Sequence, residues 1–196
     1  MIEKIFSASI GLYNLEINNN QILNNLKKLE TNPHSLIYNG YSSLKTGDET
    51  LLELEEFLEL KKLIADCCIN YCDKMKISKV SITNSWFNKL GRGGEVLKHN
   101  HPHSIVSGAY YPFYEENHSP LTLLNPDNFE EYREISDHIT IVPKTNLLVV
   151  FPSYLNHFVT PTKTKERYTI SFNTTALKVK EIEERGLNLK WRTLRR

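Results

Sequence analysis

No charge of either sign dominates this chain: 24 Lys and Arg stand against 23 Asp and Glu, a formal net charge of +1. That balance removes the electrostatic case for nucleic acid or an anionic membrane as the main partner. Long apolar runs are missing as well, since no stretch approaches the roughly 18 residues needed to cross a bilayer. The first residues, MIEKIFSASIGLYNLEINNN, place Glu3 and Lys4 before a short alternating run and lack a secretory core. A cytoplasmic location is the expectation. Cysteine is scarce, and Cys67, Cys68 and Cys72 crowd into one helical stretch unsuited to a disulfide framework. Buried thiols on a helix face explain them better than a metal site. No repeat, low-complexity tract or Pro/Gly/Ser linker divides the sequence, so one domain is expected. The basic stretch from Lys180 to Arg196 reads as a solvated tail.

What remains is an ordinary globular composition, 40% hydrophobic and 24% charged, long enough to bury a core. Its two parts differ in texture. Up to about residue 77 the pattern is mainly helical, after an opening strand over Ile5 to Ile17. Asn19 or Asn20 can cap a helix running to about Leu29. A second helical pattern spans Glu49 to Met75, opened by Gly47-Asp48, with Leu54, Phe57, Leu58, Ile64, Cys68, Tyr71 and Met75 at helical spacing. Residues 78–176 instead read as short β runs between turn signals: Lys79–Phe87, Val96–His101, Ile105–Phe113, Leu121–Leu124, His138–Val142, Leu147–Phe151, His157–Thr160 and Arg167–Thr175. Eight such strands close naturally into a two-sheet jelly roll with helices packed outside. The expected fold is therefore mainly β with N-terminal α-helices, a cupin-like double-stranded β-helix, followed by a tail over 177–196. The longest insertion, Tyr114 to Asp137, is placed to shape an entrance.

Chemistry concentrates in two places. His99, His101 and His103 occupy alternate positions around Pro102. On a strand, residues two apart share a face about 6.6 Å apart, so two imidazoles can converge on one metal ion; surface or capping histidines are the plainer alternative. The second cluster is a lone His157 and then Arg167-Tyr168-Thr169-Ile170-Ser171-Phe172-Asn173. Arg167, Thr169, Ser171 and Asn173 share one face of that strand, opposite Tyr168, Ile170 and Phe172. An unpaired guanidinium does not belong in an apolar core. That face points either to solvent or into a pocket where guanidinium and hydroxyl clamp an anion.

The order of these pieces resembles the 2-oxoglutarate/iron(II) dioxygenase superfamily, and more narrowly its short bacterial and phage-encoded branch. That branch carries W-x-N, H-x-H-P, S-G-x-Y-Y, F-P-S with a His shortly after, and R-x-S-x-S-F-N. The matching residues are Trp86 with Asn88, His99-Asn100-His101-Pro102, Ser107-Gly108-Ala109-Tyr110-Tyr111, Phe151-Pro152-Ser153 with His157, and Arg167 through Asn173. The resemblance covers about Ser85 to Thr174. It implies iron(II) held by His99, His101 and His157, and 2-oxoglutarate held by Arg167 with Thr169 or Ser171, Tyr111 and Asn88. Asn173, Tyr110 and His103 are implied at the substrate side; Trp86, Tyr114 and the loop Glu115 to His118 are candidates for the entrance. The implied reaction is hydroxylation of a small-molecule or peptidyl substrate, with succinate and carbon dioxide released. For a phage-encoded member the location would be the host cytoplasm. Oligomeric state stays open, a homodimer included.

Departures from the pattern bear on the metal. His101 stands where most of the superfamily has Asp or Glu, leaving the site one negative charge short and less selective for iron over nickel, copper or zinc. His103 competes with His101 for the third position, and Glu95 is a weaker carboxylate candidate. Lys144-Thr145-Asn146 replaces a Gly turn, which Asn tolerates. Two rival readings leave something over: a three-histidine cupin-like enzyme gives Arg167 no purpose, and a non-catalytic jelly-roll module needs no convergence of three histidines.

Overall fold

The computed structural model describes residues 8–47, 49–126 and 138–177. The start of the expected opening strand, Asp48, residues 127–137 of the long insertion and the tail beyond 177 lie outside the described residues. In chain order the elements are β1 (Gly11–Asn14), α1 (Asn19–Leu26), β2 (Ile37–Ser42), two 3-10 turns (Leu51–Glu53 and Glu55–Phe57) and α2 (Leu58–Met75). They continue as β3 (Val80–His99), β4 (Val106–Tyr110), β5 (Leu121–Leu124), β6 (His138–Ile141), β7 (Leu147–Pro152), β8 (His157–Val159) and β9 (Arg167–Ala176).

All strand pairings are antiparallel, in the order β1-β7-β4-β9-β3-β8-β5-β6, with β2 also on β3. The sheet curls into the expected jelly roll because β3 serves both halves. Its first half, Val80 to Leu90, pairs with β9, and its second, Val96 to His99, pairs with β8. Sequence reading divides β3 into two runs, Lys79–Phe87 and Val96–His101, and leaves Gly91, Gly93 and Gly94 outside both. They lie inside the strand: Gly93 takes φ +75, and its N–H donates to the Thr162 carbonyl at 2.7 Å. A residue without Cβ adopts that φ freely. The chain thus passes from one half of the sheet to the other without breaking.

Alternation along the strands divides the core in two. Leu148, Val150, Tyr110, Ile170 and Phe172 face α1 and α2, packing with Leu26, Phe57, Leu60, Ile64 and Cys68. Val149, Phe151, Ala109, Tyr111, Leu121 and Val159 face the interior of the roll. Gly108 permits the closest approach, for a Cβ there would overlap the Phe172 ring.

The helical region departs from expectation in detail. Asn18 rather than Asn19 or Asn20 caps α1, accepting from the Asn20 N–H at 3.2 Å. The second helix begins at Leu58, because Glu49 is committed to the preceding loop, where its carboxylate accepts the N–H groups of Lys45, Thr46 and Gly47. Leu54 and Leu58 consequently lie exposed. Strand β2 has no counterpart in the sequence reading; its Asn39-Gly40 centre, with Asn39 at φ 46, hides a register shift against β3. Cys68 and Cys72 are buried and all three cysteines are free. Among the described residues no helix is long and apolar enough to cross a membrane.

Candidate metal centre and anion pocket

The roll encloses a cavity of about 300 Å³, the lower end of the range for small-ligand sites. Three imidazoles meet on its wall. His99 and His157 are direct cross-strand partners at the ends of β3 and β8, with ring centroids 4.3 Å apart. His101 stands 5.0 Å from each, and one nitrogen from every ring lies within 4.8 Å of the others. The convergence of His99 and His101 is not the strand alternation the spacing suggests, because β3 ends at His99. His101 is instead held by its backbone, whose N–H donates to the Ser153 carbonyl at 3.0 Å.

The rings are prepared as ligands. Nδ1 of His99 lies 2.8 Å from the Leu97 carbonyl and Nδ1 of His157 lies 2.9 Å from that of Leu155. A carbonyl only accepts, so both Nδ1 atoms carry the proton and both Nε2 atoms are bare lone pairs. Burial, and then the neighbouring rings, push His101 down to about 3. Burial and His99 push His157 down to about 4 against its carbonyl bond. His99 is lowered as well, by burial. At neutral pH all three are uncharged, the form that binds a metal ion.

Farther along the same cavity lies Arg167, 2% exposed. Its Nη1 donates to Thr169 Oγ1 at 2.8 Å and its Nε to the Ser119 carbonyl at 3.2 Å. No carboxylate offsets its charge among the described partners, and its Nη2 has no hydrogen-bond partner. The Tyr111 hydroxyl is buried without a partner too, and the Tyr111 ring lies 5.4 Å from the guanidinium carbon. Burial raises the Tyr111 phenol, with the guanidinium charge opposing, and burial lowers Arg167. Two orphaned buried donors at one end of a cavity form a place for an anion.

Of the residues singled out from sequence, His99, His101, His157, Arg167, Thr169, Tyr111, Ser171, Asn88, Asn173 and Trp86 all line this cavity. Tyr110 and His103 do not. Tyr110 alternates to the helix side, where its hydroxyl donates to Asn19 Oδ1 at 2.6 Å. His103 turns outward at φ 70 and is exposed. Glu95 is likewise outside the cavity lining, so it supplies no carboxylate to the cluster. Asn146 adopts φ 73, as the missing Gly turn requires. His118 does not line the cavity: it is buried, and its Nε2–H donates to the Glu166 carbonyl at 2.8 Å. Sequence reasoning passes over Ser119, whose carbonyl orients Arg167, for nothing local marks a backbone acceptor. It passes over Asn84 too, although Asn84 shares the parity of Trp86 and Asn88.

Residues 84–173, a little under half of the chain, match a sequence-family model described as "Putative 2OG-Fe(II) oxygenase". No curated protein sequence matches. Among solved structures, a Pseudomonas putida prolyl-4-hydroxylase superposes with a TM-score of 0.64 at 13% identity, covering 88% of this chain and 95% of its own. A Trichoplax adhaerens prolyl hydroxylase, solved with a hypoxia inducible factor peptide fragment, gives 0.63 at 17% identity, covering 92% and 87%. HygX from Streptomyces hygroscopicus, solved with nickel and 2-oxoglutarate, gives 0.62 at 8% identity, covering 86% and 83%. At these identities the structural likeness establishes the shared fold.

Proposed function

We propose that the chain is an oxidoreductase of the 2-oxoglutarate/iron(II) oxygenase superfamily and that it hydroxylates a C–H bond of its substrate through the cavity just described. In that reaction one atom of dioxygen enters the C–H bond and the other enters succinate as 2-oxoglutarate loses carbon dioxide. Bound iron(II) supplies the redox centre for this chemistry. His99, His101 and His157 would hold the ion through their bare nitrogens. Arg167 would receive the far carboxylate of 2-oxoglutarate, with Thr169, Ser171 and Tyr111 beside it and Asn88 on the adjoining wall.

The observation that carries this reading is the pair of orphaned buried donors, Arg167 Nη2 and Tyr111 Oη, in the cavity that also holds three neutral imidazoles. A guanidinium buried without a counter-ion is costly, and a dicarboxylate reaching from the imidazoles would remove that cost. An all-imidazole set brings no negative charge of its own, so nickel, copper and zinc compete with iron more strongly than at a site with a carboxylate.

The test is an anaerobic titration of metal-free protein with iron(II), then 2-oxoglutarate, following the visible charge-transfer band of a chelated keto acid. A saturable band is the expected result. Iron binding without a band would favour a three-histidine enzyme that does not use 2-oxoglutarate, and absence of metal binding would exclude both.

A further inference from the structure

The facing strands β3 and β9 pair Leu90 with Arg167, Asn88 with Thr169, Trp86 with Ser171, and Asn84 with Asn173, and every member of these pairs except Leu90 lines the cavity. Successive rungs stand about 6.7 Å apart. The Arg167 end is the one 2-oxoglutarate would take. The Trp86 rung adjoins the imidazoles, its ring 5.7 Å from that of His101. The Asn84–Asn173 rung therefore lies past the metal cluster from Arg167 and is left for the second substrate.

That rung has a fixed polarity. Asn84 Nδ2 donates to the Gly47 carbonyl at 2.7 Å, which sets its amide and leaves Oδ1 with only a 3.4 Å contact from Thr83 Oγ1. Asn173 is set the opposite way: Ser107 Oγ, itself bonded to Ser153 Oγ at 2.8 Å, donates to Asn173 Oδ1 at 2.7 Å. Its NH2 has no partner among the described residues. One rung thus offers a carbonyl acceptor and an amide donor side by side. No Asp, Glu or Lys lines the cavity among the described residues, and the single permanent charge, Arg167, is taken by 2-oxoglutarate. A charged group entering here would be desolvated with no partner.

We propose that the primary substrate is an uncharged amide, whose N–H and C=O pair with Asn84 and Asn173 while its oxidised carbon lies over Trp86 beside His101. This rests on the oxygenase reading for the placement of 2-oxoglutarate. Such an amide belongs either to a peptide backbone or to a small carboxamide.

The test is anaerobic calorimetry on protein loaded with iron(II) and 2-oxoglutarate. The probes are a capped neutral dipeptide, a simple alkyl carboxamide, and an alkylamine and an alkyl carboxylate of matching size. The neutral amides should bind and the charged probes should not; the tighter of the two amides identifies the source. Asn84→Ala and Asn173→Ala should each weaken amide binding about three- to tenfold, the effect of one hydrogen bond. The 2-oxoglutarate titration of Asn84→Ala should stay within about twofold of wild type. Asn84 is only half-buried, so this variant keeps the test open if loss of the Ser107 bond unfolds Asn173→Ala. Equal binding of charged probes, failure of every amide, or amide binding indifferent to Asn84→Ala overturns the proposal. Loss of 2-oxoglutarate binding in wild type would instead refute the oxygenase reading, and the amide titration of metal-loaded protein would still judge this one.

Discussion

Replacing Arg167 with methionine should separate binding from stability. The guanidinium is buried, bonded to Thr169 and the Ser119 carbonyl, and leaves one nitrogen unpaired. Removing one partner of a buried, hydrogen-bonded charge pair costs roughly 2–5 kcal/mol, or about 30- to 4,000-fold in 2-oxoglutarate affinity. In the ligand-free protein the opposing contributions nearly cancel. Exchanging buried ionic groups for apolar ones of similar size is neutral or stabilising by roughly 1–4 kcal/mol, and the two lost hydrogen bonds take back about 1 kcal/mol each. Thermal unfolding of ligand-free Arg167→Met should thus stay near the wild-type temperature, within about 2 kcal/mol either way. At a 2-oxoglutarate concentration a hundredfold above the wild-type Kd, wild type gains about 2.7 kcal/mol and the variant less than about 1 kcal/mol. Metal titration should be unchanged in Arg167→Met, whereas His157→Ala should lose metal and 2-oxoglutarate together. Equal metal loss in the two variants, or a ligand-free Arg167→Met that melts well below wild type, would refute the reasoning.

Three other perturbations test separate parts of the structure. His101→Asp restores a carboxylate to the metal cluster and should shift competition toward iron over zinc and nickel; metal content after equilibration with equimolar ions measures it, and an unchanged ratio counts against His101 as a ligand. Gly108→Ala forces a Cβ into the Phe172 ring and should cost roughly 1–3 kcal/mol, read as a lower urea midpoint at unchanged slope. Glu49 is held down to about 2: burial alone would raise it, and the N–H groups of Thr46, Lys45 and Gly47 overcome that. A depressed folded-state pKa contributes stability above the usual value near 4.5 that is lost as pH falls toward 2. The melting-temperature gap between wild type and Glu49→Gln should accordingly close across that interval, and a gap constant with pH would show that the loop does not hold the carboxylate.

The β half of the fold was legible because its strands alternate in chemistry as they alternate in direction. In β9, Arg167, Thr169, Ser171 and Asn173 all line the cavity while Tyr168, Ile170 and Phe172 pack toward the helices. Strand β5 falls at the limits read from sequence, Leu121–Leu124, and β7 extends one residue beyond its expected end. Where local composition misled, a tertiary partner had overridden it. The glycine segment of β3 falls between two expected strands until Thr162 is placed against it, and the helix expected at Glu49 is displaced by that carboxylate's own loop bonds.

By itself, the sequence determined the residue types and the parity of the site: a histidine pair, a distant histidine, and a guanidinium among hydroxyls on one strand face. Those follow from a period of two, which is a local property of any extended chain. Only the tertiary structure decided which histidines meet. His101 reaches His99 and His157 from beyond the end of β3, positioned by a bond to Ser153 that is 52 residues away in the chain, and His103, at the same spacing, turns outward. It also decided that Arg167 is buried beside an unpaired Tyr111 rather than facing solvent. Burial and convergence are set by strands that close on one another across long stretches of chain, and no local pattern encodes that closure.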